Sequence, residues 1–264
     1  MNLKLFLAGD RFGLVIDLPS VADRTMHSSS RRLVNVTSKG LPPDLGKSTA
    51  RYSWSLMRSI KEMDPHNIPF NALIIGPTNF GKTQFLVNQL CGSFRGKFDY
   101  VMLICPTFAH NRTLYRLVER DPHLYVIICE QHQVELFLKL ASFSFKGTNT
   151  LIVLDDCAAS KDMKGQTGEL VKLGFSARHS GISVWVLTQQ LSSIAKPFRE
   201  NVAAIVLFYT PSAKTTKAIF EEYAGELSHD ELRQMTAKLK ERKFAHLIFP
   251  LRHPLEIQLK GNST

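Results

Sequence analysis

The residues best equipped for chemistry lie in Gly76-Pro77-Thr78-Asn79-Phe80-Gly81-Lys82-Thr83, directly after the apolar run Ala72-Leu73-Ile74-Ile75. This is the Gly-x-x-x-x-Gly-Lys-Thr spacing of a phosphate-binding loop. Gly76 and Gly81 let the backbone turn its amides toward phosphate oxygens. Lys82 brings a point charge to the β- and γ-phosphates, and the Thr83 hydroxyl is a ligand for Mg2+. A helix from Thr83 through Leu90 aims its N-terminus at the same anion. The stretch Gly76 to Gln84 is therefore the expected nucleotide contact. A glycine turn capping an ordinary helix would share the pattern. The strand before it, and Phe85, Leu86 and Leu90 at helical spacing after it, favour the phosphate loop.

A second constellation closes the run Leu151-Ile152-Val153-Leu154-Asp155-Asp156. A buried strand ending in two carboxylates reads as a Walker B element: Asp155 holds Mg2+ through water, and Asp156 reaches further to orient or deprotonate the attacking water. An isolated Asx turn is the plain alternative. Val184-Trp185-Val186-Leu187 then leads to Thr188-Gln189-Gln190. A polar tip on a strand inserted between the other two can sense the γ-phosphate, and Gln189 is the expected sensor, with Thr188 and Gln190 as alternatives. Arg178, in Ala177-Arg178-His179-Ser180-Gly181, is a candidate arginine finger acting on a neighbour's nucleotide, set against a plain surface arginine. Arg199 is a second finger or interface candidate.

These groups need a scaffold. The apolar runs Ala72–Ile75, Tyr100–Cys105, Leu124–Cys129, Thr150–Leu154, Ser183–Leu187, Ala203–Phe208 and Phe244–Phe249 alternate with helical segments. Such Val/Ile/Leu-rich runs predict an α/β fold with a mainly parallel central sheet covered on both faces. Chemistry then belongs at the carboxyl ends of the strands. The segment 212–243 reads as helical, its lysines interleaved with acids. Residues 1–67 lack a sustained period and read as an extension, possessing loop-like Ser28-Ser29-Ser30 and a basic set, Arg31, Arg32, Lys39 and Lys47. A helix over 48–63 carries Trp54 and Met57. Residues 68–264 form the expected catalytic domain.

A formal net charge of +10 and a pI near 9.5 favour a polyanionic partner, and nucleic acid over membrane. No run approaches the ~18 apolar residues of a membrane span, and the opening residues lack a signal-peptide core, so the expected site of action is inside the cell. Cys91, Cys105, Cys129 and Cys157 are too widely spaced for a zinc pattern or a disulfide framework and read as buried thiols. His110, His123 and His132 show no ligand spacing and read as surface or loop residues.

The motifs resemble those of viral DNA-packaging ATPases of the FtsK/HerA superfamily, the poxvirus-type enzymes and their relatives in adenovirus-like and Maverick/Polinton-like elements. The resemblance covers roughly residues 70–210. It is carried by the phosphate loop, by Leu154-Asp155-Asp156, by Arg178-His179 followed by Ile182-Ser183 and Gln189, by Arg199 and Asn201 as a later Arg-x-Asn, and by Ile104-Cys105-Pro106-Thr107. Ala177 stands where the family commonly has glycine, and Phe80 is bulky for its place. The resemblance implies a P-loop NTPase of RecA/FtsK/HerA type, a three-layer sandwich. It further implies ATP and Mg2+ as cofactors and a homo-oligomeric ring pumping double-stranded DNA into a preformed capsid. A capsid or portal/vertex protein is then a partner, and assembling virions in the host nucleus or cytoplasm are the location. The rivals are a cellular-type FtsK/HerA DNA pump, an ATP-binding DNA or capsid adaptor with negligible turnover, and a small-substrate phosphotransferase.

Overall fold

A computed structural model describes residues 3–8, 11–16, 63, 68–118, 124–127, 129–158, 160–225, 227–241 and 244–251. The chain divides into two units, residues 1–54 and 55–264. The first contains an antiparallel pair, β1 (Leu3–Ala8) and β2 (Arg11–Ile16), with Leu3 opposite Ile16 and Ala8 opposite Arg11. No strand was expected here. The two runs are only six residues each, and Phe6 interrupts the polar positions of the first, so no period-two pattern builds up. The expected helix over 48–63 and the basic residues Arg31, Arg32, Lys39 and Lys47 lie outside the described residues, save Met63, which is buried.

The second unit is built on a seven-stranded sheet: β3 (Ala72–Ile75), β4 (Tyr100–Ile104), β5 (Leu124–Ile127), β6 (Thr150–Asp155), β7 (Ile182–Thr188), β8 (Ala204–Phe208) and β9 (His246–Pro250). The spatial order is β5-β4-β6-β7-β3-β8-β9, and every pair is parallel except β8 with β9. The expected mainly parallel sheet is therefore present. Of its five interior strands, β3, β6, β7 and β8 are buried at every position, which is why their sequences are mostly apolar and do not alternate.

Helices α1 (Lys82–Cys91), α2 (Arg112–Val118), α3 (Val134–Ser144), α4 (Glu169–Ser180) and α5 (Lys196–Arg199) connect the strands. From β3 to β4 to β5 the chain moves one way across the sheet, and from β5 through β6 and β7 to β8 it moves the other. Right-handed crossovers then put α1 and α2 on one face and α3, α4 and α5 on the opposite face. The packing agrees: α1 meets α2, α3 meets α4, and α4 meets α5. The helical segment expected over 212–243 is two helices, α6 (Ala213–Tyr223) and α7 (His229–Glu241), with Ala224-Gly225 between them.

The amino end of the sheet is pinned by two buried groups. Trp185 of β7 packs against Phe70, Phe94 and Phe98 at ring-centroid distances of 5.6, 4.9 and 6.1 Å. Asn71, ahead of β3, donates from Nδ2 to the Gly174 carbonyl of α4 at 3.2 Å and accepts the Val184 amide of β7 on Oδ1 at 3.0 Å. Both ends of its amide are used, so one side chain ties β3 to the neighbouring strand and to a covering helix. At the carboxyl end, register does the positioning. Ile75 lies opposite Thr188, and Asp155 lies opposite Leu187. The three strand tips therefore finish at one level, with β7 between the other two.

Candidate active site

The loop after β3 begins by extending the ladder: the Gly76 amide donates to the Thr188 carbonyl at 3.1 Å. A Cβ on Gly76 would sit 2.6 Å from the Cβ of Phe208 in β8, so no larger residue fits. Gly81 has φ +100°, a left-handed conformation that glycine adopts without steric cost, and it hands the chain to α1. Bulky Phe80 is accommodated by Tyr209, just beyond β8, with ring centroids 6.1 Å apart. Lys82 is buried and lies folded into the loop, donating from Nζ to the carbonyls of Gly76 at 2.8 Å and Pro77 at 2.9 Å. Burial lowers its pKa, and the nearby Asp155 and Asp156 oppose that shift.

Asp155, the last residue of β6, is 2% exposed. The Thr83 hydroxyl donates to its Oδ2 at 3.4 Å. Burial first, and then the charge of Asp156, pushes the Asp155 pKa up to about 6, against the pull of Lys82 and the Thr83 hydrogen bond. Asp156 is half-buried and takes the left-handed region, φ 56°. Two side chains hold it there. Thr107 donates its hydroxyl to Asp156 Oδ2 at 2.6 Å, and Gln131 donates from Nε2 to the Asp156 carbonyl at 2.6 Å.

These groups share one cleft of about 900 Å3, which brings Thr78, Asn79, Gly81, Lys82, Thr83 and Gln84 together with Asp155 and Asp156. Thr83 and Asp155 offer oxygen donors of the kind Mg2+ takes alongside substrate phosphates, and a buried carboxylate with its pKa raised fits a cation partner. A second cleft of about 500 Å3 adjoins it, sharing Thr107 and Asp156 and lined also by Gln189, Gln190 and Lys164. Gln189 and Gln190 are exposed there. Thr188 is buried and spent on the turn, with its Oγ1 2.7 Å from Ser193 Oγ and donating to the Gln190 carbonyl at 3.1 Å.

The arginines lie elsewhere. Arg178, in the last turn of α4, is exposed and lines a separate cleft of about 550 Å3 with Asn71, His179 and Asn201, at the amino ends of the strands. It makes no ion pair among the described residues, and it is not brought to Lys82 of its own chain. Arg199 is committed within the chain: its guanidinium pairs with Glu222, and its carbonyl accepts the Tyr223 hydroxyl at 3.4 Å.

The sequence reading missed Gln131 and gave Thr107 no role. Neither carries a local signal, because Thr107 follows β4 and Gln131 follows β5, and only the sheet order delivers them to Asp156. Behind the acids, Cys105, Cys129 and Cys157 are buried free thiols, while Cys91 is half-buried. Burial pushes Cys105 up to about 12 and Cys129 up to about 11, which keeps both as unreactive thiols.

Ionising Asp155 in its buried position is costly. An acid whose folded pKa is raised adds nothing to instability below its unfolded value, then destabilises progressively as pH climbs through 3.8 to about 6. The cost reaches roughly 3 kcal/mol at pH 8. Asp155→Asn is therefore expected to raise the melting temperature of the nucleotide-free protein at pH 8, and by about half as much at pH 5. Thermal unfolding in a chelator at the two pH values checks this.

Residues 59–243 match the family model described as poxvirus A32 protein. No curated protein sequence is significantly similar to this chain. Among solved structures, the genome packaging NTPase B204 from Sulfolobus turreted icosahedral virus 2, in complex with ATP-gammaS, is similar with a TM-score of 0.52 at 16% identity, covering 72% of this chain and 94% of that one. B204, the DNA-packaging ATPase from Sulfolobus turreted icosahedral virus, gives 0.51 at 18% identity, covering 69% and 92%. At such identities the likeness establishes the fold, that of a P-loop packaging ATPase. The family match runs through the phosphate loop, both acids, the inserted strand and α7, and the chain belongs to the poxvirus A32 protein family.

Proposed function

We propose that this protein hydrolyses ATP to drive double-stranded DNA into a preformed viral capsid. The observation that carries the reading is the convergence of Lys82, Thr83, Asp155 and Asp156 in one cleft at the carboxyl ends of β3 and β6, with Gln189 at the tip of the strand between them. Membership of the A32 family, and a fold shared with genome-packaging NTPases solved with ATP analogues, support the same conclusion.

In this reading Gly76 to Gln84 wrap the phosphates of ATP. Lys82 exchanges its two loop carbonyls for phosphate oxygens, which are stronger acceptors for an ammonium. Thr83 and Asp155 would hold Mg2+, which would supply positive charge to offset that of the phosphates. Asp156, fixed by Thr107 and Gln131, orients the attacking water and accepts its proton. Gln189 stands on the far side of Asp156 and registers loss of the γ-phosphate. Arg178 is exposed at the other end of the sheet and completes the site of the next subunit in a homo-oligomeric ring, which couples hydrolysis to motion between subunits. Arg199 pairs with Glu222 in its own chain, which favours Arg178 for that role. The net charge of +10 suits a DNA track gripped by its phosphates. Residues 1–67 are assigned to subunit or capsid and portal contacts at assembling virions.

Steady-state hydrolysis, with and without long double-stranded DNA, tests the reading with Lys82→Ala as the blank. DNA is expected to stimulate turnover strongly at low salt and weakly at high salt. ATP and DNA binding with turnover no higher than the blank contradicts it. Mixing tests the finger. Arg178→Ala and Asp156→Asn are each expected to be inactive, and a mixture to regain turnover at interfaces pairing an intact Asp156 with an intact Arg178. No recovery from folded, co-assembled variants removes Arg178 from the site.

A further inference from the structure

The nucleotide cleft has a second wall, which the phosphate chemistry does not use. Because β9 is antiparallel, its first residue, His246, lies opposite Phe208, the last residue of β8. The start of β9 is thereby delivered to the same edge of the sheet as the phosphate loop. The cleft runs along this edge, with acids on the β6 side and Phe208, Phe244 and His246 on the β8 and β9 side. Thr83 faces Asp155, whereas Phe85, two residues further along α1, faces away from it and packs on His246 at 4.9 Å and on Phe208 at 6.2 Å.

Phe244 is unusual for an aromatic residue. It is 49% exposed, sits in the left-handed region at φ 67°, and lies against the phosphate loop, where a Cβ on Gly81 would come within 3.0 Å of its Cδ1. A bulky side chain rarely takes this positive-φ conformation, which fixes the direction of the ring along the phosphate loop. Beside it, Gln84 and Asn88 occupy successive turns on the exposed side of α1, with Gln84 Nε2 donating to Asn88 Oδ1 at 2.8 Å. The pair offers donors and acceptors at the rim of the aromatic wall, which suits the edge of a heterocyclic base.

We propose that this end of the cleft is a purine-base subsite, with the base stacked on Phe244 and its edge met by Gln84 and Asn88. The proposal rests on the reading that the phosphate loop holds a nucleotide. With the terminal phosphate beside Asp155 and Asp156, the nucleoside leaves the loop past Gly81, and the first surface it meets is the Phe244 ring.

Equilibrium binding of ATP and of inorganic tripolyphosphate separates base from phosphate recognition. Phe244→Ala is expected to weaken ATP roughly tenfold, as loss of one stacking platform does, and to leave tripolyphosphate unchanged. Phe244→Trp is expected to keep ATP affinity and to show tryptophan emission quenched by ATP but not by tripolyphosphate. Unchanged ATP affinity in Phe244→Ala, or equal weakening of both probes, overturns the subsite. If Lys82→Ala binds both probes as tightly as the parent protein, the phosphate-loop reading falls and the subsite falls with it.

Discussion

The 3.4 Å hydrogen bond from Thr83 to Asp155 joins two elements that the sheet holds apart. Strand β7 lies between β3 and β6, so the phosphate loop and the acids start two strand spacings from each other, roughly 10 Å. The gap is spanned from above, by the first turn of α1. That arrangement requires the loop to turn sharply at Gly76, under Phe208, and to enter the helix through left-handed Gly81. It also requires β3, β6 and β7 to end level, which their parallel register enforces. The separation leaves room for phosphates and water between lysine and carboxylates, and the inserted strand ends in Gln189, which lines the adjoining cleft that shares Asp156.

The charges in that space are poorly solvated by design. Asp155 and Lys82 are both buried, and desolvation is the largest influence on each, raising the pKa of one and lowering that of the other. Lys82 meets this by donating to the loop's own carbonyls, and Asp155 by accepting a long hydrogen bond from Thr83 and one from the Asp156 backbone amide. A site of this kind gains when a phosphate and a cation replace such weak partners. Asp156 is treated differently. Thr107 and Gln131, from the tips of the next two strands, lock its side chain and backbone together. The inflexible acid is the one assigned to water, and rigid placement is what such a role demands.

Much of this was legible in the sequence. Strands β3 to β9 announce themselves because a parallel sheet buried on both faces needs uninterrupted Val, Ile and Leu, and the glycines, Lys82, Thr83 and the acid pair have spacings that few other needs impose. What escaped the sequence depends on tertiary order. Thr107 and Gln131 are ordinary polar residues until β4 and β5 take their places beside β6. The direction of β9 is invisible in its apolar run, so the aromatic wall at Phe244 could not be foreseen. The β1–β2 pair is too short for a period to emerge. The remoteness of Arg178 from Lys82 follows from α4 ending at the amino edge of the sheet, a consequence of topology and not of motif.

On the proposed function, hydrolysis in this cleft moves the protein along DNA. Displacement of a third-strand oligonucleotide from a linear duplex by the assembled protein reports that motion. Release that requires ATP, grows with the time needed to reach the triplex, and stops with a non-hydrolysable analogue is the predicted result. Hydrolysis stimulated by DNA with the triplex left in place would contradict it.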